Sequence, residues 1–334
     1  MMDLDLQKYA VRTDLALEAR ELAERDQPMP LAGINEDVEE DNGIKITRLD
    51  VLNEEGANRI GRVQGHYVTL EVPGLREGDT GLQQRVAIAF AKEMEQFIQK
   101  IGISSKASVL VVGLGNWNVT PDSLGPLVVE NLMVTRQFFE LTPDQVNPGY
   151  RDVSAIAPGV LGITGIESSE IVQGIVDRTK PELIIAIDAL ASRSLERVNT
   201  TIQVADIGIH PGSGIGNKRR GITKDIMGVP CIAIGVPTVC YASTIVNNVI
   251  ELMRTHFAKE KASTKAILGM LDDISEPERL GLVREVLQPL GHDLIVTPKE
   301  IDEFIEDIAN IIATGLNAAL HEAVDPGNVA AYTH

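Results

Sequence analysis

Two runs made only of apolar residues constrain this chain most: Val109-Leu110-Val111-Val112 and Leu183-Ile184-Ile185-Ala186-Ile187. A half-buried strand alternates apolar with polar. A run that is apolar at every position must bury both faces, as strands do inside a helix-covered parallel sheet. Both runs stop abruptly. The first breaks at Gly113 and Gly115 and leads to Thr120-Pro121-Asp122-Ser123; the second ends on Asp188. Thr, Pro and an acid in that order have the grammar of a helix start, with Thr120 as N-cap and Pro121 at the first helical position. Asp122 and Asp188 are therefore expected at the carboxyl ends of central strands, where open α/β sheets carry their chemistry. From about residue 80 onward strand and helix patterns alternate. That predicts a doubly wound α/β fold, a mostly parallel sheet flanked by helices.

Further segments fill in this frame. Residues 13–24 have the spacing of a terminal helix, and the acidic stretch 36–42 reads as a solvated loop. Residues 44–76 are β-rich and form a small N-terminal extension. Residues 80–102 are helical, with Val86, Phe90, Met94, Phe97, Ile98 and Ile101 on one face. Residues 124–139 read as the helix following the first apolar run. Thr164 with Glu167, and Thr297 with Glu300, have capping-box spacing ahead of two more helices. A strand over 231–236 is expected to end at Pro237, and 294–296 to be a last short strand.

Charge and cysteine content narrow the function classes. The formal net charge of −18 argues against direct binding to a nucleic-acid backbone or an anionic membrane. No apolar run reaches transmembrane length, and MMDLDLQKY lacks the pattern of a signal peptide, so a cytoplasmic protein is expected. Cys231 and Cys240 lie in an apolar segment and read as small buried hydrophobes.

Several motifs invite chemistry. Gly113-x-Gly115 resembles half of a dinucleotide fingerprint, but position 118 is Asn where the third glycine belongs. The loop Gly212-Ser213-Gly214-Ile215-Gly216, with Lys218, Arg219 and Arg220, suits a phosphate or a substrate carboxylate; equally it is a surface loop. There is no GxSxG and no HExxH. His210, where a strand runs into a loop, could join Asp122 and Asp188 as a metal ligand, or be a structural histidine. Taken singly, Asp122 is a helix-dipole residue and Asp188 a capping residue. Taken together they are a carboxylate pair on one rim. Two close carboxylates share a proton, so one can activate water while the other protonates a carbonyl or a leaving group. Asp122, beside a helix N-terminus, is expected to be the base and Asp188 its protonated partner. The leading reading is a carboxylate-dependent hydrolase. A metal-dependent hydrolase using Asp122, Asp188 and His210 comes second, and a non-catalytic phosphate or nucleotide binder third.

Four longer stretches go further. YAVRTDLALEA (9–19), VVGLGNWNVTPDSLGP (111–126), AIDALASR (186–193) and IGIHPGSGIGNKRRGI (207–222) resemble the germination proteases of spore-forming bacteria, endopeptidases that degrade small acid-soluble spore proteins. The resemblance extends over most of the chain and is weakest at 256–295. It implies an unusual aspartic-type peptidase, similar in fold to hydrogenase maturation proteases, with its two essential aspartates at Asp122 and Asp188. The nickel-binding histidine of those relatives has no counterpart, so the resemblance implies no metal and no other cofactor. It implies a homotetrameric zymogen that removes its own N-terminal segment. Such proteases favour an acid before the cut, then a bulky apolar residue, then Ala, with an acid further on. That places the cut between Asp14 and Leu15, leaving 1–14 as propeptide and 15–334 as a single peptidase domain. Val11 departs from the preferred acid four positions before the cut. The location implied is the forespore or spore core. A pocket for the acidic residue would draw on Arg193 or on Lys218, Arg219 and Arg220.

Overall fold

A computed structural model describes residues 13–26, 31–209, 220–258, 281–282 and 294–325. Its strands are β1 (Ile34–Asp41), β2 (Ile44–Val51), β3 (Gly65–Glu71), β4 (Val109–Gly113), β5 (Val153–Ile156), β6 (Leu183–Ser192), β7 (Thr201–Ala205), β8 (Cys231–Tyr241) and β9 (Ile295–Val296). They make one sheet in the order β1-β2-β3-β7-β8-β6-β4-β5, with β9 added to β8. The run β5-β4-β6-β8 is parallel. The run β8-β7-β3-β2-β1 is antiparallel, as is β9. The fold is thus α/β with flanking helices. The parallel part is its centre, and the β-rich segment lengthens the same sheet through β3–β7, so the whole sheet is mixed.

The apolar runs behave as their composition demands. Val109 and Val111 of β4, with Leu183, Ile185 and Ile187 of β6, feed one core under helices Thr80–Lys100, Leu124–Glu130 and Ile301–Leu320. The alternate residues Leu110, Val112, Ile184 and Ala186 feed a second core on the opposite face, under helix Ser168–Thr179 and Met227. A third core lies beneath the N-terminal helix Ala16–Asp26, where Ala16, Ala23 and Leu31 meet Leu49, Val51, Ile60, Tyr67 and Ala205.

Some local expectations change. The acidic stretch 36–42 is mostly strand β1, joined to β2 by Asn42-Gly43, both at positive φ (49° and 81°) as a tight hairpin turn requires. Its charges are managed by Arg48, which bonds Asp37 and Glu39 across the hairpin and Glu93 on the helix below. The helix expected over 124–139 is two, Leu124–Glu130 and Arg136–Leu141. Between them the Asn131 amide bonds Leu127 O, and Met133 N donates to the buried Asn317. Neither capping box forms: Glu167 and Glu300 are themselves the N-caps, without side-chain cap bonds. β8 continues through Pro237 because a register shift sits there, Leu190 facing Pro237 and Ala191 facing Val239. Both cysteines are buried and free, and burial pushes their thiols up to about 12 (Cys231) and about 11 (Cys240). Among the described residues no helix is long and apolar enough to cross a membrane.

Candidate active site

β4 is shorter than its neighbour, and that difference makes the site. The β4–β6 register ends at Gly113↔Ile187, with one more bond from Leu114 N to Ile187 O (2.8 Å). β6 continues to Ser192 alongside β8. Asp188 is therefore not the end of its strand, as the sequence suggested, but the first residue of β6 past the end of β4. It faces Gly235 in the β8 ladder. Its Oδ1 accepts a hydrogen bond from Ala189 N at 3.0 Å.

Asp122 arrives from the loop that follows β4. Thr120–Asp122 is a 3-10 turn with Val119 as its N-cap, and helix Leu124–Glu130 starts only afterwards. Thr120 is thus not the N-cap, and Asp122 precedes the helix instead of sitting in its first turn. The turn packs against β6 and β8. It is tied to the strand end by Asn116 N donating to Asp122 O (2.8 Å) and to β8 by Thr238 Oγ1 donating to Pro121 O (2.6 Å). Gly115, at φ +119°, permits this approach: a Cβ there would lie 1.9 Å from Asp122 O. Gly125 packs backbone to backbone on the same loop, where a Cβ would meet Leu114 O at 2.3 Å. The Gly113-x-Gly115 pattern is thus a packing device that seats Asp122. Sequence reading missed this role, and it missed Thr238. The only signal was a third glycine, Gly125, just inside the next helix.

The other predicted residues fall in three places. Arg193, half-buried, follows β6 directly and lines a cleft of about 510 Å³ with Glu18, Arg197, Asn247 and Leu252. Arg220 is exposed. Lys218, Arg219 and His210 lie outside the described residues. Among the described residues no group of three His, Cys, Asp or Glu side chains is arranged to hold a metal.

Asp14 lies alongside β6, three residues beyond Asp188, next to Leu15. Asp14 N donates to Ala191 O (3.3 Å), and Ala191 N donates to Asp14 Oδ2 (3.0 Å). Burial pushes the Asp14 carboxyl up from its ordinary range, offset by the Ala191 N–H and by Arg62. Leu15 is fully buried. Gln203 holds the backbone on both sides of this peptide bond: its Nε2 donates to Asp14 O (3.3 Å) and its Oε1 accepts from Ala16 N (2.6 Å). Four residues on, Glu18 is buried and accepts from Arg193 N (2.8 Å) and Ser194 N (3.0 Å), with Arg197 at 3.5 Å. Arg197 also pairs with Glu21 and Glu71. The resemblance implies an acid further on from the cut, which Glu18 supplies; the Arg193 and Ser194 N–H groups that hold it were invisible in sequence.

The arrangement places Asp188 on β6 just past the end of β4 and Asp122 on a backbone-clamped turn that packs against β6 and β8.

Comparison with known proteins now adds a family. The model of the germination protease family matches residues 12–265 and 260–333. The germination protease of Bacillus licheniformis is 51% identical, covering 99% of this chain and 99% of that protein. That of Bacillus mycoides is 48% identical with the same coverage. Among solved structures, a [NiFe] hydrogenase maturation protease, HycI from Thermococcus kodakarensis, aligns over 66% of this chain and 98% of its own at 18% identity. Its TM-score is 0.32.

Proposed function

The chain belongs to the germination protease family, a family of peptidases, and on that premise we propose that it is an aspartic-type endopeptidase whose water is activated by Asp122 and Asp188. In the proposed reaction the ionised carboxylate of Asp122 takes a proton from water as the water oxygen bonds to the peptide carbonyl carbon. Asp188, protonated, gives its proton toward the leaving amide nitrogen, and the C–N bond breaks to a carboxylate and an amine. The observation that carries this reading is the pinning of the Asp122 turn against the strand that bears Asp188, through Asn116 N, Thr238 and the space left by Gly115.

The proposed substrates are small acid-soluble spore proteins in the spore core, and the proposed assembly is a homotetramer. The chain as given is proposed to be a precursor that loses residues 1–14 by a cut between Asp14 and Leu15. Burial of Leu15 and the grip of Gln203 on both flanks of that bond support a precursor held unreactive until the segment is released. The proposed partner of the acidic residue before the cut is Arg193 or the cluster of Lys218, Arg219 and Arg220.

The test is the intact mass of the chain after incubation at mildly acidic pH, for wild type, Asp122→Ala and Asp188→Ala, with and without chelator. Loss of 1–14 in wild type alone, indifferent to chelator, is the expected result. Cleavage in either variant moves the chemistry away from the pair. Cleavage abolished by chelation restores the metal-dependent reading with Asp122, Asp188 and His210.

A further inference from the structure

β6 runs on past the end of β4 where the proposed chemistry lies. Residues of a strand direct their N–H and C=O to alternate sides, so those that face one neighbour recur every second position. Ile187 faces β4, because its O accepts from Leu114 N. Ala189, Ala191 and then Arg193, just past the strand, therefore face the same side, where β4 has already ended. The register shift opposite Leu190 and Ala191 skips Thr238 in β8 and leaves the alternation of β6 intact. Among the described residues no strand pairs with this stretch. Each of its N–H groups is instead met by a carboxylate: Ala189 N by Asp188 at 3.0 Å, Ala191 N by Asp14 at 3.0 Å and Arg193 N by Glu18 at 2.8 Å. Asp14 adds half of a backbone ladder through its own N–H to Ala191 O.

We infer that the edge of β6 from Ala189 to Arg193, which no described strand pairs, is the receptor for an extended, acidic segment of the protein substrate, and that in the uncut chain it is held by Asp14 and by Glu18 from the first turn of the helix Ala16–Asp26. An unpaired edge recruits an extended peptide through main-chain hydrogen bonds, while the side chains that face the edge set preference. Here the preference is for carboxylates, since Asp14 and Glu18 are what the edge already holds, with Arg62, Arg193 and Arg197 around them. The present occupant sits out of register for reaction. Asp14 lies opposite Ala191, three residues beyond Asp188, or about 10 Å at the rise of a strand. A substrate segment would run over the same edge with its cut bond drawn back to Asp188. This inference rests on the proposed role of Asp188 and names the site that feeds it.

The test leaves the enzyme unmutated. A peptide with the sequence of residues 9–20 of this chain is made with a single backbone N-methyl group at each successive position. Binding and cleavage are both followed with the wild-type chain after it has lost its N-terminal residues, and with the uncut chain. Expected is a period of two: methylation at alternate positions weakens binding at least tenfold and the positions between are tolerated. The uncut chain, in which Asp14 occupies Ala191, is expected to bind the unmodified peptide at least tenfold more weakly. Binding with that period but no cleavage upholds the receptor edge and overturns the peptidase reading. Cleavage indifferent to the position of methylation overturns the receptor edge and leaves the peptidase. A peptide neither bound nor cut overturns both.

Discussion

The two halves of the sheet solve different problems. In the parallel half, β4 and the first five residues of β6 are buried throughout, and successive side chains enter cores on opposite faces. In the antiparallel half, β1 is exposed along almost all its length, and β2 divides its buried side chains between two cores, Ile44 and Ile46 on one face and Leu49 and Val51 on the other. The parallel strands cannot carry charge along their length, so polarity gathers at their carboxyl rim, where Asp122 and Asp188 lie. The antiparallel strands spread charge over their outer surface and balance it across strands, as Arg48 does with Asp37 and Glu39. A rim of polar groups above a dry core suits chemistry. The exposed, charged β1 closes the sheet and blunts its edge.

The contrast can be broken most sharply at the rim. Asp188→Asn and Asp122→Asn are each expected to lower peptidase turnover by about 10²–10⁴-fold with little change in melting temperature. Turnover within a few-fold of wild type in either variant would remove that residue from the chemistry. Gly115→Ala comes next. Its Cβ would meet Asp122 O at 1.9 Å, so the turn must shift, and a displacement near 1 Å costs about 10²-fold in rate. Full activity in this variant would show that the turn need not be held where it is.

Stability sharpens the same comparison. Ile185→Ala, in the parallel core, is expected to cost about 2–5 kcal/mol in denaturant unfolding. Val38→Ala on β1, half exposed, is expected to cost under about 0.5 kcal/mol. Equal losses would mean that the hairpin is as essential to the core as the central strands.

The smallest expected effect is one of pH. His321 is fully buried: Nδ1 accepts from Arg151 N (3.2 Å) and Nε2 faces Met133 O (3.2 Å). Burial, with Arg151 nearby, lowers its pKa below the ordinary 6.5, against the pull of the Met133 carbonyl. The unfolded chain then binds the proton more readily than the folded one. The contribution of His321 is complete above pH 6.5 and is lost as pH falls from there toward the depressed folded value. Melting temperature should decline over that window, and His321→Asn should flatten the decline. An unchanged slope would assign it to other groups, of which Asp14, whose carboxyl is raised by burial, works in the opposite sense.

From its residues alone the chain announced its α/β class, its two central strands, an aspartate downstream of each apolar run and its likeness to a protease family. These are legible because burial on both faces leaves a run without polar residues, and because motifs of ten or more residues are specific. Local expectations failed where a short pattern had to compete with packing. The acidic stretch 36–42 became a strand because Asn42-Gly43 folds it onto β2, and both capping boxes gave way to other helix starts. The relation between β4 and β6 could not be read from the chain, since no residue records where its neighbour stops. That five-residue β4 beside ten-residue β6 exposes an edge at Asp188, and that Asp14 and Glu18 lie along it, is a matter of contacts across more than 170 residues. Such contacts exist only once the sheet has assembled, and it is the sheet that decides which carboxylates meet.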